Sequence, residues 1–195
     1  MQTVKQMVRK WVPRAIETPP CPVEVEESAY SAMFSLFDEP GRPTQRLIEL
    51  ALDAVERAMK DVEVEGSVWP GEELRLLGGL MLAMRPKVVV EIGSSNAKAS
   101  EVMKKFLPEG ARIVSEVAGA EFILVRGPGD GKFEEQVLEQ LGGLKFEEPP
   151  IVMFNDTRRW EMLRFCREIR NPKLDMTSFG RWTGTLLVEL TRDGG

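Results

Sequence analysis

Residues 87–97 read KVVVEIGSSNA, and this stretch decides the fold. Lys87–Gly93 is a short apolar run of β-branched residues, the pattern of a strand buried on both faces. It ends in a glycine. Ser94, Ser95 and Asn96 follow as a polar turn whose side chains are suited to cap a helix over 97–107. A strand that delivers its C-terminal end into a glycine turn and then a helix N-terminus is the cofactor-binding arrangement of doubly wound α/β proteins. Gly93 lets a ligand approach the backbone, and helix amides point toward it. Glu91, at the strand end, places a carboxylate within reach of a cationic or hydroxyl-bearing ligand. The same stretch also reads as an ordinary buried strand followed by a capped helix.

Downstream, strands and helices continue to alternate. Strand character is found at 111–117 (ARIVSEV), 120–125 (AEFILV) and 149–154 (PPIVMF). Helices are expected over 133–142 and 158–169, and two closing strands over 173–179 and 184–190. This alternation predicts an α/β domain with a mainly parallel sheet. Upstream, 72–84 reads as a very apolar helix in which Gly78-Gly79 permits close packing, and 44–60 as a strongly amphipathic one. Residues 18–27 (TPPCPVEVEE) are a proline-rich linker, and 28–38 carry a short helical signal. Residues 1–15 read as a basic amphipathic helix in which Lys5, Arg9, Lys10 and Arg14 lie among Val4, Met7, Val8, Trp11 and Val12. Such a helix suits a membrane surface, a second subunit or its own domain. The expected organisation is a helical N-terminal appendage over 1–64 and an α/β domain over 65–195.

Composition narrows the chemistry. The 195 residues carry a formal net charge of −5, which gives no reason to expect nucleic acid as a partner. There is no histidine, so histidine-based nucleophile systems, imidazole metal sites and histidine acid–base catalysis are excluded. Cys21 and Cys166 form no CxxC pair, and a reduced, cytoplasmic protein is the expectation. No apolar run is long enough to cross a membrane, and basic residues interrupt the N-terminal apolar positions. GPGDGK at 127–132 lacks the spacing of a phosphate loop and reads as a tight turn. The arginines between 158 and 170 are interleaved with Glu161 and Glu168, as on a solvated helix face.

Three segments together resemble the class I S-adenosylmethionine-dependent methyltransferases. VVVEIGSSNAKAS (88–100) resembles their first motif, and ILVRGPGDGKFEEQ (123–136) resembles their fourth-strand segment. The tail from Ile151 to Leu190, with KLDMTSFGRWTGT at 173–185, resembles a bacterial small-molecule O-methyltransferase group. The resemblance covers roughly residues 65–190. It implies a three-layer Rossmann-like sheet with S-adenosylmethionine across the C-terminal strand ends. Glu91, Gly93, Ser94 and Ser95 are then the residues for the cofactor's amino-acid end, and Glu116 the acid for its ribose. Asn155 and Asp156 stand where metal-assisted relatives hold a divalent cation such as magnesium, and Asp156 is the candidate for orienting the acceptor. The implied reaction is methyl transfer to a hydroxyl of a small molecule, a sugar or a natural product. A homo-oligomer, and a membrane or subunit contact through residues 1–15, are carried as partner expectations.

Several positions depart from that pattern. Arg126 replaces the fourth-strand acid, and a pairing of Arg126 with Asp156 is expected instead. Ser95 and Ala97 replace glycines, and Arg181 stands where a histidine is expected. Only Ala118-Gly119 separate the segments 111–117 and 120–125, whereas a parallel connection needs about a dozen residues. The sheet is therefore expected to be truncated in its second and third strand region. Either the second strand is rerouted, or 111–117 is not a true strand, or a stretch is missing. These departures support an alternative function, a catalytically degenerate scaffold that acts by partner binding or oligomerisation.

Overall fold

A computed structural model describes residues 41–64, 73–94, 96–181 and 183–191. The described residues belong to one compact unit, Pro40–Gly195. The expectations for residues 1–15, 18–27 and 28–38 lie outside the described residues, as does Ser95.

This unit is a six-stranded mixed sheet with helices on both faces. Its elements are α1 (Gln45–Lys60), α2 (Glu73–Met84), β1 (Val88–Gly93), α3 (Ala97–Phe106), β2 (Arg112–Val114) and β3 (Phe122–Arg126). Then follow α4 (Lys132–Gly142), β4 (Ile151–Asn155), a 3-10 turn (Trp160–Met162), α5 (Leu163–Glu168), β5 (Lys173–Asp175) and β6 (Thr185–Glu189). The strand order is β2-β1-β3-β4-β6-β5. β2, β1, β3 and β4 run parallel, β6 is antiparallel to β4, and β5 is antiparallel to β6.

The period-two geometry of strands explains why the central strands read as unbroken apolar runs. Val89, Phe122, Leu124, Ile151, Met153 and Leu187 point to one face, into a core shared with α1, α2 and α3. Val90, Ile123, Val125, Val152, Phe154 and Val188 point to the other, into a core with α4 and α5. Phe154 and Phe165 meet edge-on there, with ring centroids 5.1 Å apart.

Two sequence expectations need correction. The helix over 44–60 is not part of an appendage ending at residue 64. Leu47, Ala51 and Ala54 of α1 lie in the same core as the sheet, and the compact unit begins at Pro40. The helix starts where Thr44 caps it by accepting from Leu47 N. Thr44 and Arg46 are in turn tied to the buried Glu189 of β6.

The second correction concerns the short link. β2 occupies only 112–114 rather than 111–117, so residues 115–121 form the connection to β3. β2 and β3 pair with opposite sides of β1, both parallel to it. A three-residue strand rises only about 10 Å, so the return path is short. The chain turns at Val117–Ala120, where Ala120 N donates to Val117 O at 3.0 Å. Val114, Val117 and Ala120 pack on the second core along the way. A helical crossover is thus replaced by a turn.

Candidate functional site

The strand order changes direction between β1 and β3: α3 carries the chain from β1 to β2 on one side, and β3 lies on the other. Such switch points place ligand crevices at the C-terminal strand ends. Here β1 ends at Gly93, with φ +96°. A Cβ at Gly93 would lie 2.3 Å from Arg126 O, so the turn admits only glycine without rearrangement. Ser94 N closes the turn by donating to Arg126 O at 3.0 Å. Gly93 and Ser94 are exposed, as are Asn96, Ala97 and Lys98 at the start of α3. Asn96 caps that helix, its Oδ1 accepting from Lys98 N at 3.0 Å and Ala99 N at 3.4 Å.

Behind this open turn lies a network of charged side chains. Glu91 Oε2 accepts from Ser100 Oγ at 2.8 Å, while Glu91 Oε1 is buried and has no hydrogen-bond partner. Arg126, with a side chain only 8% exposed, donates from Nη2 to Glu73 Oε1. Its Nε lies 3.8 Å from Glu91 Oε1 and makes no hydrogen bond. Glu73, from the first turn of α2, also accepts from Asn155 Nδ2 at 2.9 Å. Arg181 approaches from the loop between β5 and β6. Its Nη1 lies 3.2 Å from Asp156 Oδ2 and its Nε 3.9 Å from Glu73 Oε2. Thr183 Oγ1 donates to Asp156 Oδ1. Asp156 adopts φ +59°, a left-handed backbone that only a few residue types tolerate and that clusters at functional sites.

Burial drives the Glu73 carboxyl above its ordinary pKa, against the opposing pull of the Arg126 and Arg181 guanidiniums and the Asn155 amide. Desolvation wins because little of the side chain reaches water.

The structure therefore brings Glu91, Gly93, Ser94, Asn155 and Asp156 to one end of the sheet. Glu116 is exposed in the link after β2, with no placement in this network. The expected Arg126–Asp156 pair does not form. Arg126 engages Glu73 and Glu91, and Asp156 is taken by Arg181 and Thr183. Three residues that complete the network, Glu73, Ser100 and Thr183, carry no sequence signal of their own. Glu73 opens an otherwise apolar helix, Ser100 follows the cap in the first turn of α3, and Thr183 lies in the loop before β6.

The donor set does not fit the divalent cation expected at Asn155 and Asp156. Asn155 Oδ1 faces Thr185 Oγ1 at 3.5 Å while its amide donates to Glu73, and both Asp156 oxygens are engaged. Among the described residues, no group of three or more Asp, Glu, Cys or His side chains is arranged to hold a metal. The S-adenosylmethionine end of the expectation fits better. Glu91 Oε1 is a buried acceptor that makes no hydrogen bond, with Arg126 Nε 3.8 Å away, and a donor on a ligand would satisfy it.

No family model matches the chain, and no curated protein matches it. Solved structures do. An O-methyltransferase from Bacillus cereus, in complex with SAH, aligns with a TM-score of 0.48 and 13% identity, over 84% of this chain and 97% of that one. The O-methyltransferase TomG from Streptomyces achromogenes, involved in tomaymycin synthesis and in complex with SAM, gives 0.46 and 13%, over 84% and 96%. A methyltransferase from Geobacter sulfurreducens gives 0.46 and 14%, over 89% and 100%.

Cys166 takes no part in the site. Burial pushes its thiol up to about 11, and its Sγ donates to Thr157 O at 3.6 Å. The thiolate is the reactive form, so a thiol this weak is a poor nucleophile near neutral pH. In a Cys21→Ser variant, Cys166 should react with a thiol-directed reagent at pH 8 at least a hundredfold more slowly in the folded protein than in denaturant. Equal rates in both states would contradict its burial. No described helix is long and apolar enough to cross a membrane.

Proposed function

We propose that this chain binds S-adenosylmethionine at the β1–β3 switch point and transfers its methyl group to a hydroxyl of a small molecule. The observation that carries this reading is Glu91. One of its oxygens is fixed by Ser100; the other is buried and makes no hydrogen bond, with Arg126 Nε 3.8 Å away, two residues before an exposed glycine turn. A carboxylate oxygen that lacks a hydrogen bond is an acceptor for the cationic amino-acid end of the cofactor. Gly93 and Ser94 lie at the point of close approach, and the resemblance assigns Ser95 to the same contact. Glu116, past the end of β2, is the acid for the ribose hydroxyls.

The cofactor supplies an electrophilic methyl group. The protein's part is to hold the acceptor oxygen in line with it and to exclude alternatives. Asp156 is the proposed orienting group, and its fixed hydrogen bonds to Arg181 and Thr183 hold the carboxylate in one position. With no histidine present, a proton from the acceptor passes to a carboxylate, a lysine or solvent. The sugar or natural-product class of the acceptor follows from the resemblance of the tail alone.

Calorimetric titration with S-adenosylmethionine and S-adenosylhomocysteine tests the reading. Binding in the micromolar range is expected, and Glu91→Gln should weaken it tenfold or more, about 1.4 kcal/mol. Absence of heat and of any thermal shift at millimolar ligand would leave the scaffold reading, binding of a partner without catalysis, in its place.

A further inference from the structure

The buried Glu73, the half-buried Glu91 and an amide converge beside the strand ends, with Arg126 among them and Arg181 at their outer edge. Glu73 arrives from α2, Glu91 from β1 and Asn155 from β4. Arg126, the last residue of β3, rises between its two neighbouring strands and meets both acids. Carboxylates from separate elements, gathered out of water with an amide among them, make the oxygen-rich setting that a hard divalent ion prefers. In this chain the cation that balances them is covalently attached.

We propose that Arg126 is the resident cation of this cage, so that the site works without a divalent metal ion. Three features support this. The Arg126 guanidinium is hydrogen-bonded to Glu73 and lies within charge range of Glu91, while Arg181 stands at the outer oxygen of Glu73, with its Nε 3.9 Å from Oε2. The contact with Glu91 is made by charge alone: Nε and Oε1 are 3.8 Å apart and neither forms a hydrogen bond, so no directional fit holds the guanidinium on that side. The remaining acid at the strand ends, Asp156, has both oxygens engaged, by Arg181 and Thr183. An arginine keeps its charge at every pH a protein survives, so a metal could enter only against a full positive charge. The proposal does not depend on which organic ligand the strand ends take.

The test exchanges the built-in cation for a carboxylate. In Arg126→Asp, three carboxylates and an amide face the space the guanidinium leaves. Manganese titration followed by loss of the free-ion paramagnetic resonance signal should show one more Mn2+ bound per chain than in the unaltered protein. The added ion should raise the Tm of that variant by about 5–10 °C at a hundredfold excess over its Kd. Adding Glu73→Gln to Arg126→Asp should abolish the extra equivalent. Arg126→Lys, which keeps a cation in place, should gain none. Should Arg126→Asp unfold without metal, Mn2+ must restore its circular dichroism. An Arg126→Asp protein that neither gains an ion nor is rescued by one overturns the proposal. So does an unaltered protein whose Tm falls on chelation, or an extra ion that survives Glu73→Gln.

Discussion

Glu73→Ala should lower the unfolding free energy by about 3–5 kcal/mol, the cost of leaving one member of a buried ion pair alone. Glu73 holds Arg126 and Asn155 together, and both it and Arg126 are nearly excluded from water, at 9% and 8% side-chain exposure. The variant strands the guanidinium against Glu91, with which it makes no hydrogen bond. Burial already raises the pKa of Glu73, so the ionised pair recovers less than its desolvation cost. Breaking it is therefore costly while replacing it is not. Glu73→Leu combined with Arg126→Met should regain most of the lost stability, and urea unfolding of the two single variants and the double variant measures the coupling. Additive losses would show that the two groups act independently. The pH dependence carries the same sign. A carboxyl raised in the folded state contributes stability that is fully present below its ordinary value of 4.5 and is lost as pH rises through the folded value. Relative to Glu73→Gln, the unaltered protein should lose stability as pH climbs above 4.5.

What could be read from the sequence follows the physics of local patterns. KVVVEIG predicts a doubly buried strand because alternate side chains feed two cores, and Val89 and Val90 do so. Asn96 predicts a cap because its short amide can reach the first helix amides, and it does. The sheet's α/β character and the glycine turn at 93 depend on such neighbours in sequence. Partner choice among charged side chains does not. Arg126 could be assigned to Asp156 only by proximity in an imagined sheet. The real pairing depends on α2 presenting Glu73, a residue 53 positions earlier, above the same strand ends. Likewise, the strand expected over 111–117 is shorter in the fold, Arg112–Val114. Val114 and Val117, three residues apart, would face opposite sides of a continuous strand; both pack on the second core because the chain leaves the sheet after Val114 and returns in a turn closed at Ala120. Apolar, β-branched composition marks a buried segment without saying whether a ladder continues.

Gly79→Ala should destabilise the protein by about 3 kcal/mol, the upper part of the range for overpacking a core. Taken alone, the substitution helps α2, since alanine is better than glycine inside a helix by about 1 kcal/mol. The tertiary term opposes it. A Cβ at position 79 would lie 2.1 Å from Ala54 O and 2.9 Å from Ala58 Cβ, both on α1. The first contact is backbone inside a helix and cannot swing aside, so the two helices must separate. They share the first core with Val89 and Phe122, so separation opens the layer that backs the site. Gly78 provides the contrast. Its Cβ would meet Val62 Cγ1 at 2.7 Å and Phe106 Cδ2 at 3.0 Å, both side-chain atoms. These can rotate or shift, so Gly78→Ala should cost less than Gly79→Ala despite standing next to it in the same helix. Thermal unfolding of the two variants under identical conditions decides the point. Equal losses would mean that helix propensity or general crowding, rather than the Ala54 carbonyl, sets the requirement for glycine at this crossing.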